Sequence, residues 1–400
     1  MIRLGFSDYG AMIAYLVGVV LIGLWFSKGE KDSEEYLLGG RKLPWMAVGI
    51  SIVMSLLSTY SLVMGPGEIF NHGLSMWILA LLSPIFAVFA FMIFVRFYFK
   101  LNSFTPFEYL EYRYDAKVRM LIAAIYAYTR IFYLGMVLFA TSKVFEGGAG
   151  WPAWLTIVIV GVIGVVYTVM GGMKAVVWTD VMQFFVLVAG VAAAVIVLCC
   201  NIDGGFFGAI TYAFSHGRGL DRFSEASFYT MNPYVRLSFW LLLLGYIMGP
   251  LGGASSDQIT IQRLLSTSSY KNAFKAQLTS SCLIIPFQLF IWFIGLAIFT
   301  FYSQHPDSRV TSGDTAFFLF ISTRLPSPLP GLFLAAMLAA AMSTLDSGIN
   351  SLSAIWLKEF HQKLINPKMD GLTQVRISRF SSVWVGVFAV AMALILTVSS

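Results

Sequence analysis

Small oxygen-bearing side chains are concentrated in two stretches of the chain that are otherwise apolar. The stretch SLLSTYSLVMGPGEIF (Ser55–Phe70) carries four Ser or Thr residues, a Gly-Pro-Gly and a glutamate. The stretch AAAMSTLDSGINS (Ala339–Ser351) carries five more hydroxyl or amide side chains and an aspartate. Hydroxyl oxygens and the free carbonyls of an interrupted helix are ligands for hard cations such as Na⁺. The two stretches therefore indicate a cation site.

The second stretch has its hydroxyl groups at helical spacing. Ala340, Ser343, Thr344 and Ser347 stand at i, i+3, i+4 and i+7, on one face of a helix, with Asp346 beside them. Small residues on a membrane helix often mark close packing. A carboxylate in hydrocarbon costs several kcal/mol unless it is paired or faces water. The aspartate therefore favours a binding role over packing alone.

A second acidic residue lies in GGMKAVVWTDVMQ (Gly171–Gln183), where Asp180 is about one turn inside an apolar segment. One interpretation is a charge at a helix end, near the membrane interface. The other joins Asp180 to Ser343, Asp346 and Ser347 in a carboxylate-hydroxyl cation site. Both interpretations remain open from the sequence.

Arg130, in YAYTRIFYLGMVL, is the one basic residue deep within a predicted span. A structural ion pair with an acid such as Glu68 would explain it. The other explanation is a substrate carboxylate, which the planar guanidinium can bind through two parallel hydrogen bonds.

Composition indicates the environment of these residues. The chain of 400 residues is 58% hydrophobic and 12% charged, whereas a soluble domain has about 25% charged residues. Long apolar runs predict a polytopic helical membrane protein. Ten are predicted: Tyr9–Phe26, Leu43–Phe70, Met76–Phe99, Val118–Thr141, Trp154–Met170, Val176–Cys200, Leu237–Ala254, Ala273–Tyr302, Pro330–Trp356 and Ile377–Val398.

The distribution of basic residues predicts the orientation. With the N-terminus outside, 18 of the 26 Lys and Arg residues fall on the inside and 7 on the outside, Arg263 being counted among the inside ones. The excess of positive charge inside predicts a multi-pass protein of the cell (inner or plasma) membrane with its N-terminus outside. The net charge of +6 is explained by these loops, so nucleic acid is not expected as a partner.

The tripeptide Met-Gly-Pro occurs at Met64–Pro66 and again at Met248–Pro250. Proline and glycine interrupt helices, so these tripeptides predict a break in each span. Because the two spans are five segments apart, they cross the bilayer in opposite directions. That arrangement is typical of an inverted repeat of five helices.

Other functional classes lack support in the sequence. It contains none of the Walker A, HExxH or GxSxG motifs, so ATP-driven transport and hydrolysis are not predicted, and we expect that the chain is not an enzyme.

Taken together, the motifs resemble the sodium/solute symporter family, which includes proline, sialic acid and monocarboxylate symporters. The resemblance lies in Ser55–Phe70, Ala339–Ala354, YTVMGGMKAVVWTDVMQ (Tyr167–Gln183) and GGASSDQITIQRLLS (Gly252–Ser266). It implies one all-α domain over residues 1–400, of the LeuT type, with two inverted five-helix repeats. It divides the chain into an extra N-terminal helix (8–27), a first repeat (43–200) and a second repeat (236–400). The second repeat is expected to be incomplete, lacking the tenth core helix.

The resemblance also implies site residues. A common Na⁺ site would use carbonyls of Met54, Leu57 and Ala340 with hydroxyls of Ser343 and Thr344. A second cation site, present in some members, would use Asp180, Ser343, Asp346 and Ser347. Asp346 departs from the family pattern, because members with the second site usually carry a hydroxyl there. The solute would lie near Ser58, Thr59, Ser61 and Arg130.

The function predicted is a secondary active transporter that couples Na⁺ to uptake of a small organic solute by alternating access. Its partners are Na⁺, the solute and the lipid bilayer, and no oligomer is required. Arg130 favours a carboxylate-bearing solute. The alternatives are a neutral sugar- or vitamin-type solute, and a transporter-like sensor domain of a histidine kinase.

Overall fold

The computed structural model describes residues 4–27, 31–101, 103–232, 234–235 and 237–399. Within these residues the chain forms helices and no strands. In chain order the helices are α1 (Phe6–Phe26), α2 (Ser33–Leu38), α3 (Trp45–Leu56), α4 (Thr59–His72), α5 (Ile78–Leu101), α6 (Glu108–Arg113), α7 (Ala116–Ala149), α8 (Ala153–Cys200), α9 (Gly205–Ser215), α10 (Phe239–Ser256), α11 (Gln258–Leu265), α12 (Tyr270–Gln304), α13 (Gly313–Arg324), α14 (Leu329–Ile365) and α15 (Gly371–Ser399).

Eight of the described helices are long and apolar enough to cross a membrane, and the pair α3 and α4 forms a ninth, broken span. The 48-residue α8 is divided at Gly172, whose φ of 49° and ψ of −146° are not helical. Its first arm, 153–171, is about 28 Å long at 1.5 Å per residue, close to the hydrocarbon thickness of a bilayer. Each of the ten predicted apolar segments thus corresponds to a helix, a helix pair or a helix arm.

The first broken span is interrupted before its Met-Gly-Pro and not at it. Helix α3 ends at Leu56, Leu57 and Ser58 are extended, and α4 continues through Pro66. The Ser58 hydroxyl accepts a hydrogen bond from the Ser61 backbone N–H at 3.3 Å. Such an N-cap offers the backbone an alternative to continuing the helix. The capping side chain therefore marks the break better than the proline does.

The second interruption uses the same device, on the other side of its Met-Gly-Pro. Helix α10 runs through Pro250 to Ser256, and the break falls at Asp257. The Asp257 carboxylate accepts a hydrogen bond from the Thr260 backbone N–H at 3.0 Å and so begins α11. Each span thus contains the predicted break, but the break lies several residues away from the tripeptide.

Helix α14 is the centre of the bundle. Over 329–355 every residue except Leu329 and Leu332 is buried. Its neighbours include α1, α3, α4, α7, α8, α11 and α15. A helix buried on all sides tolerates polar groups only where other helices satisfy them. Its hydroxyl and carboxyl groups therefore face neighbouring helices, not lipid.

Ion pairs join α6 to the start of α7 and to the end of α14. Arg119 pairs with the buried Glu359 and, at 2.6 Å, with Glu111. Lys363 lies 2.7 Å from Glu111. Its hydrogen bond, with that of Arg119, holds the pKa of the Glu111 carboxyl below its usual range.

Helix α12 packs closely against both halves of the first broken span. A Cβ on Gly49 of α3 would lie 2.8 Å from the Ala276 carbonyl oxygen. A Cβ on Gly295 of α12 would lie 2.7 Å from the Pro66 carbonyl oxygen. Because both obstacles are backbone atoms, a side chain there would push the helices apart.

We expect Gly49→Ala and Gly295→Ala each to destabilise the protein by about 1–3 kcal/mol, the usual cost of overpacking. A lower melting temperature of the purified protein in detergent measures the effect. Gly245→Ala in α10 is the matched control, since a Cβ there meets open space and alanine favours helix. Equal melting temperatures for all three variants would show that α12 does not depend on these contacts.

Candidate sodium and solute sites

The break after α3 brings backbone oxygens against α14. The Thr344 hydroxyl lies 3.4 Å from the Leu57 carbonyl oxygen and 3.1 Å from the Ala340 carbonyl oxygen. The Met54 carbonyl accepts the Leu57 N–H at 3.2 Å in the last turn of α3. All four residues are buried. The structure therefore places four of the five residues predicted for the common sodium site together.

Ser343, the fifth residue, adjoins Thr344 and is held by a carboxylate. Its hydroxyl donates to Asp180 Oδ1 at 2.5 Å. Because the hydrogen points to Asp180, the oxygen lone pairs remain for a cation. Oxygen-only donors of this kind fit Na⁺. Among the described residues, no cluster of three or more His, Cys, Asp or Glu side chains suggests a different metal.

The residues predicted for a second cation site also lie together. Ser343 bonds to Asp180, and Ser347 donates to the Ser343 carbonyl. The Ser347 hydroxyl lies 3.2 Å from Asp346 Oδ1, and the Tyr167 hydroxyl donates to Asp346 Oδ2 at 2.6 Å. Both carboxyl groups are fully buried, and Asp180 lies within α8 and not at either of its ends.

Arg263 is a member of this cluster that the sequence did not predict. The prediction placed it in an inside loop, but its side chain is 1% exposed. Its Nη2 lies 3.1 Å from Asp180 Oδ2 and 2.5 Å from the Ser347 hydroxyl, and its Nε lies 2.7 Å from the Ser51 hydroxyl. Arg263 is buried because α11, which follows the break, packs against α3, α12 and α14. A signal was available, because the buried Asp180 required a partner of opposite charge.

The predicted solute residues at the start of α4 have different surroundings in the structure. Ser58 and Ser61 have their hydroxyl oxygens 3.1 Å apart. Thr59 is buried, donates to the Met337 carbonyl at 3.0 Å and accepts from Thr141 at 3.3 Å. Thr59 thus joins α4 to α14 and α7 instead of facing open space.

Arg130 has an acidic partner, but the partner is Asp257. Its Nη2 lies 2.7 Å from Asp257 Oδ1, which also accepts the Tyr126 hydroxyl at 2.9 Å. The guanidinium is stacked near the rings of Tyr126 and Tyr133, about 5.5 Å from each centroid. The suggested pairing with Glu68 is wrong, since Asp257 occupies that role at the second break.

A cavity of about 320 Å³ opens between α4, α5 and α12, next to the first break. Leu57 and Ser61 line it, whereas Ser58, Thr59 and Arg130 do not. Its other polar lining residues are Trp77, Ser83, Gln277, Ser280, Ser281 and Gln288. All lining residues are uncharged. The indole nitrogen of Trp77 and the amide oxygen of Gln288 are buried without a hydrogen-bond partner among the described residues, so a solute could satisfy one donor and one acceptor here.

Comparison with known proteins identifies sodium-coupled transporters as relatives of this chain. The model of the sodium:solute symporter family matches residues 36–400. The sodium/sialic acid symporter SiaT of Proteus mirabilis is 26% identical over 99% of this chain and 79% of its own length. Human sodium-coupled monocarboxylate transporter 1 is 28% identical over 96% of this chain and 63% of its own length.

The structural comparison agrees. The structure of a substrate-bound, outward-open Na⁺-coupled sialic acid symporter superposes with a TM-score of 0.92 at 25% identity, covering 99% of this chain and 83% of that one. This confirms the predicted all-α LeuT-type membrane fold. The chain belongs to the sodium:solute symporter family.

Proposed function

We propose that this chain couples the entry of Na⁺ to the uptake of a small organic solute by alternating access. The observation that carries the proposal is the meeting of the Leu57 carbonyl, at the end of α3, with the Thr344 hydroxyl of α14. A cation bound between them would tie α3 to α14. Na⁺ would therefore favour the conformation in which these helices touch, as any ligand favours the state it binds best.

In the proposed sodium site each residue has a distinct role. Met54, Leu57 and Ala340 would offer carbonyl oxygens, and Ser343 and Thr344 hydroxyl oxygens. None of these ligands is charged. Asp180 would supply negative potential one hydrogen bond away, because it accepts the Ser343 hydroxyl at 2.5 Å. An ion held by neutral oxygens can leave again, which transport requires.

Thr344→Val removes one hydroxyl and keeps the side-chain shape. We expect the Na⁺ concentration for half-maximal uptake to rise about tenfold, the equivalent of about 1.4 kcal/mol. Uptake of labelled solute into proteoliposomes, titrated with Na⁺, measures it. Thr129→Val is the control, because that hydroxyl bonds only within α7. An unchanged Na⁺ dependence in Thr344→Val would reject the site.

For the solute, we propose a carboxylate-bearing molecule bound by Arg130. The relatives named for sialic acid and monocarboxylates support this class. The bonds to Tyr126 and Asp257 use Nε and Nη2 of Arg130. Nη1 is therefore available to donate a hydrogen bond to a solute. A solute carboxylate could also displace Asp257 and take both nitrogens. Displacement would release the acid that caps α11 and so link solute binding to the second break.

A neutral solute is the second candidate, and the cavity supports it. Its lining is uncharged, and Trp77 and Gln288 offer a free donor and a free acceptor within the described part of the chain. A polar, neutral molecule would complete these bonds without bringing a charge into the bundle.

A panel of organic acids and their matched amides separates the two candidates. If Arg130 binds a carboxylate, Arg130→Gln should lower uptake of the acid at least tenfold, and Arg130→Lys should restore it in part, because lysine keeps the charge but lacks the planar fork. If the solute is neutral, the amide should be preferred and Gln288→Leu should lower its uptake. Preference for the amide, with Arg130→Gln transporting normally, would exclude the carboxylate role.

We further propose that the chain lies in the cell membrane with its N-terminus outside. The basis is the excess of Lys and Arg in the predicted inside loops. Arg119 and Arg263 are buried, yet the excess remains without them.

Labelling with a membrane-impermeant maleimide tests the orientation in intact cells. The native Cys199, Cys200 and Cys282 are first replaced by serine. We expect Arg309→Cys to be labelled and Lys117→Cys to be protected until the membrane is permeabilised; both positions are exposed. The reverse pattern would place the N-terminus inside.

A further inference from the structure

The predicted second cation site contains a positive charge that belongs to the chain. Arg263 lies within hydrogen-bond distance of Asp180, Ser347 and Ser51. Two of these, Asp180 and Ser347, are residues that the family resemblance assigns to an ion. A guanidinium therefore stands where a second Na⁺ would be expected.

The oxygens of Asp180 and Ser347 already have partners within the chain. The Asp180 carboxylate accepts from Ser51 at 2.5 Å, from Ser343 at 2.5 Å and from Arg263 at 3.1 Å. The Ser347 hydroxyl donates to the Ser343 carbonyl and accepts from Arg263 at 2.5 Å. The Arg263 guanidinium contacts both Asp180 and Ser347, so a sodium ion bound to these two residues would lie against a positive charge. The site as it stands does not fit a second Na⁺.

The charges of the cluster lead to the same conclusion. Asp180 and Asp346 are each 0% exposed and Arg263 is 1% exposed, so the buried acidic groups face a positive charge that the chain itself supplies. An uncompensated buried charge is strongly destabilising. A second Na⁺ beside Asp180 would add a positive charge where Arg263 already supplies one.

We propose that Arg263 is a tethered cation that takes the place of a second sodium ion, so that this chain binds one Na⁺ per transport cycle. The inference rests on the proposed function. Arg263 belongs to α11, which follows the break at Asp257. Its bonds to Ser51 of α3 and Ser347 of α14 therefore hold the second broken span to the first. A free ion at this place would not move with a helix, whereas the guanidinium does.

Equilibrium binding of radioactive ²²Na⁺ to the purified full chain in detergent is the first test. We expect about one ion per protein. A stoichiometry of two would overturn the inference while leaving sodium coupling intact. Absence of any saturable binding would instead reject the proposed sodium site, and the inference with it.

Charge-changing variants give the second test, by the same measurement. Arg263→Gln should raise the stoichiometry to about two, since Asp180 then needs another cation. Arg376→Gln, which changes an exposed arginine, should remain at about one.

An Arg263→Gln protein that folds and still binds one ion would overturn the inference. If that variant does not fold, Arg263→Lys provides the decision, because lysine keeps the tethered charge. Binding of one ion by Arg263→Lys and by the wild type upholds the inference, and binding of two ions by either contradicts it.

Discussion

A carbonyl group without a partner inside a bilayer costs several kcal/mol, and this constraint organises the protein. Helix α3 ends in mid-span, where Leu57 turns extended and Ser58 caps the helix that follows. The carbonyls released there need a partner, and Thr344 of α14 supplies a hydroxyl. The same geometry that satisfies the backbone creates the proposed sodium site. The backbone structure and the proposed ion binding therefore depend on one interruption.

The buried charges impose a second constraint, which is linked to the first. Asp180 joins four elements, since it receives bonds from Ser51 of α3, Arg263 of α11 and Ser343 of α14 while it belongs to α8. Ser343 is also a proposed sodium ligand. Loss of an ion beside Ser343 would be felt electrostatically at Asp180 and, through it, at Arg263. The two broken spans thus share one electrostatic centre.

Arg130, the proposed solute ligand, lies at the second break. Asp257 caps α11 through Thr260 and also pairs with Arg130 of α7. One carboxylate therefore fixes both the restart of a helix and the position of a guanidinium. The uncharged cavity between α4, α5 and α12 lies beside the first break instead. A solute that reached both regions would contact elements from the two broken spans.

The sequence by itself determined the spans and the polar face of α14. Apolar runs long enough to cross a bilayer have few other stable forms, and a helix fixes which residues share a face. Their spacing alone therefore assigns Ser343, Thr344 and Ser347 to one face. Their grouping with Asp180 was one of two interpretations that the sequence left open, and the fold brings Asp180 and Ser343 together.

Only the tertiary structure decided where the helices break and which charges pair. Proline is tolerated inside α4 and α10, whereas the side chains of Ser58 and Asp257 cap a new helix where the preceding one ends. The sequence alone does not show whether a proline or a capping side chain decides where a helix ends. The partners of Arg130 and Arg263 are distant along the chain. Such pairs arise because packing buries a charge that must then be compensated, and packing is a property of the whole bundle.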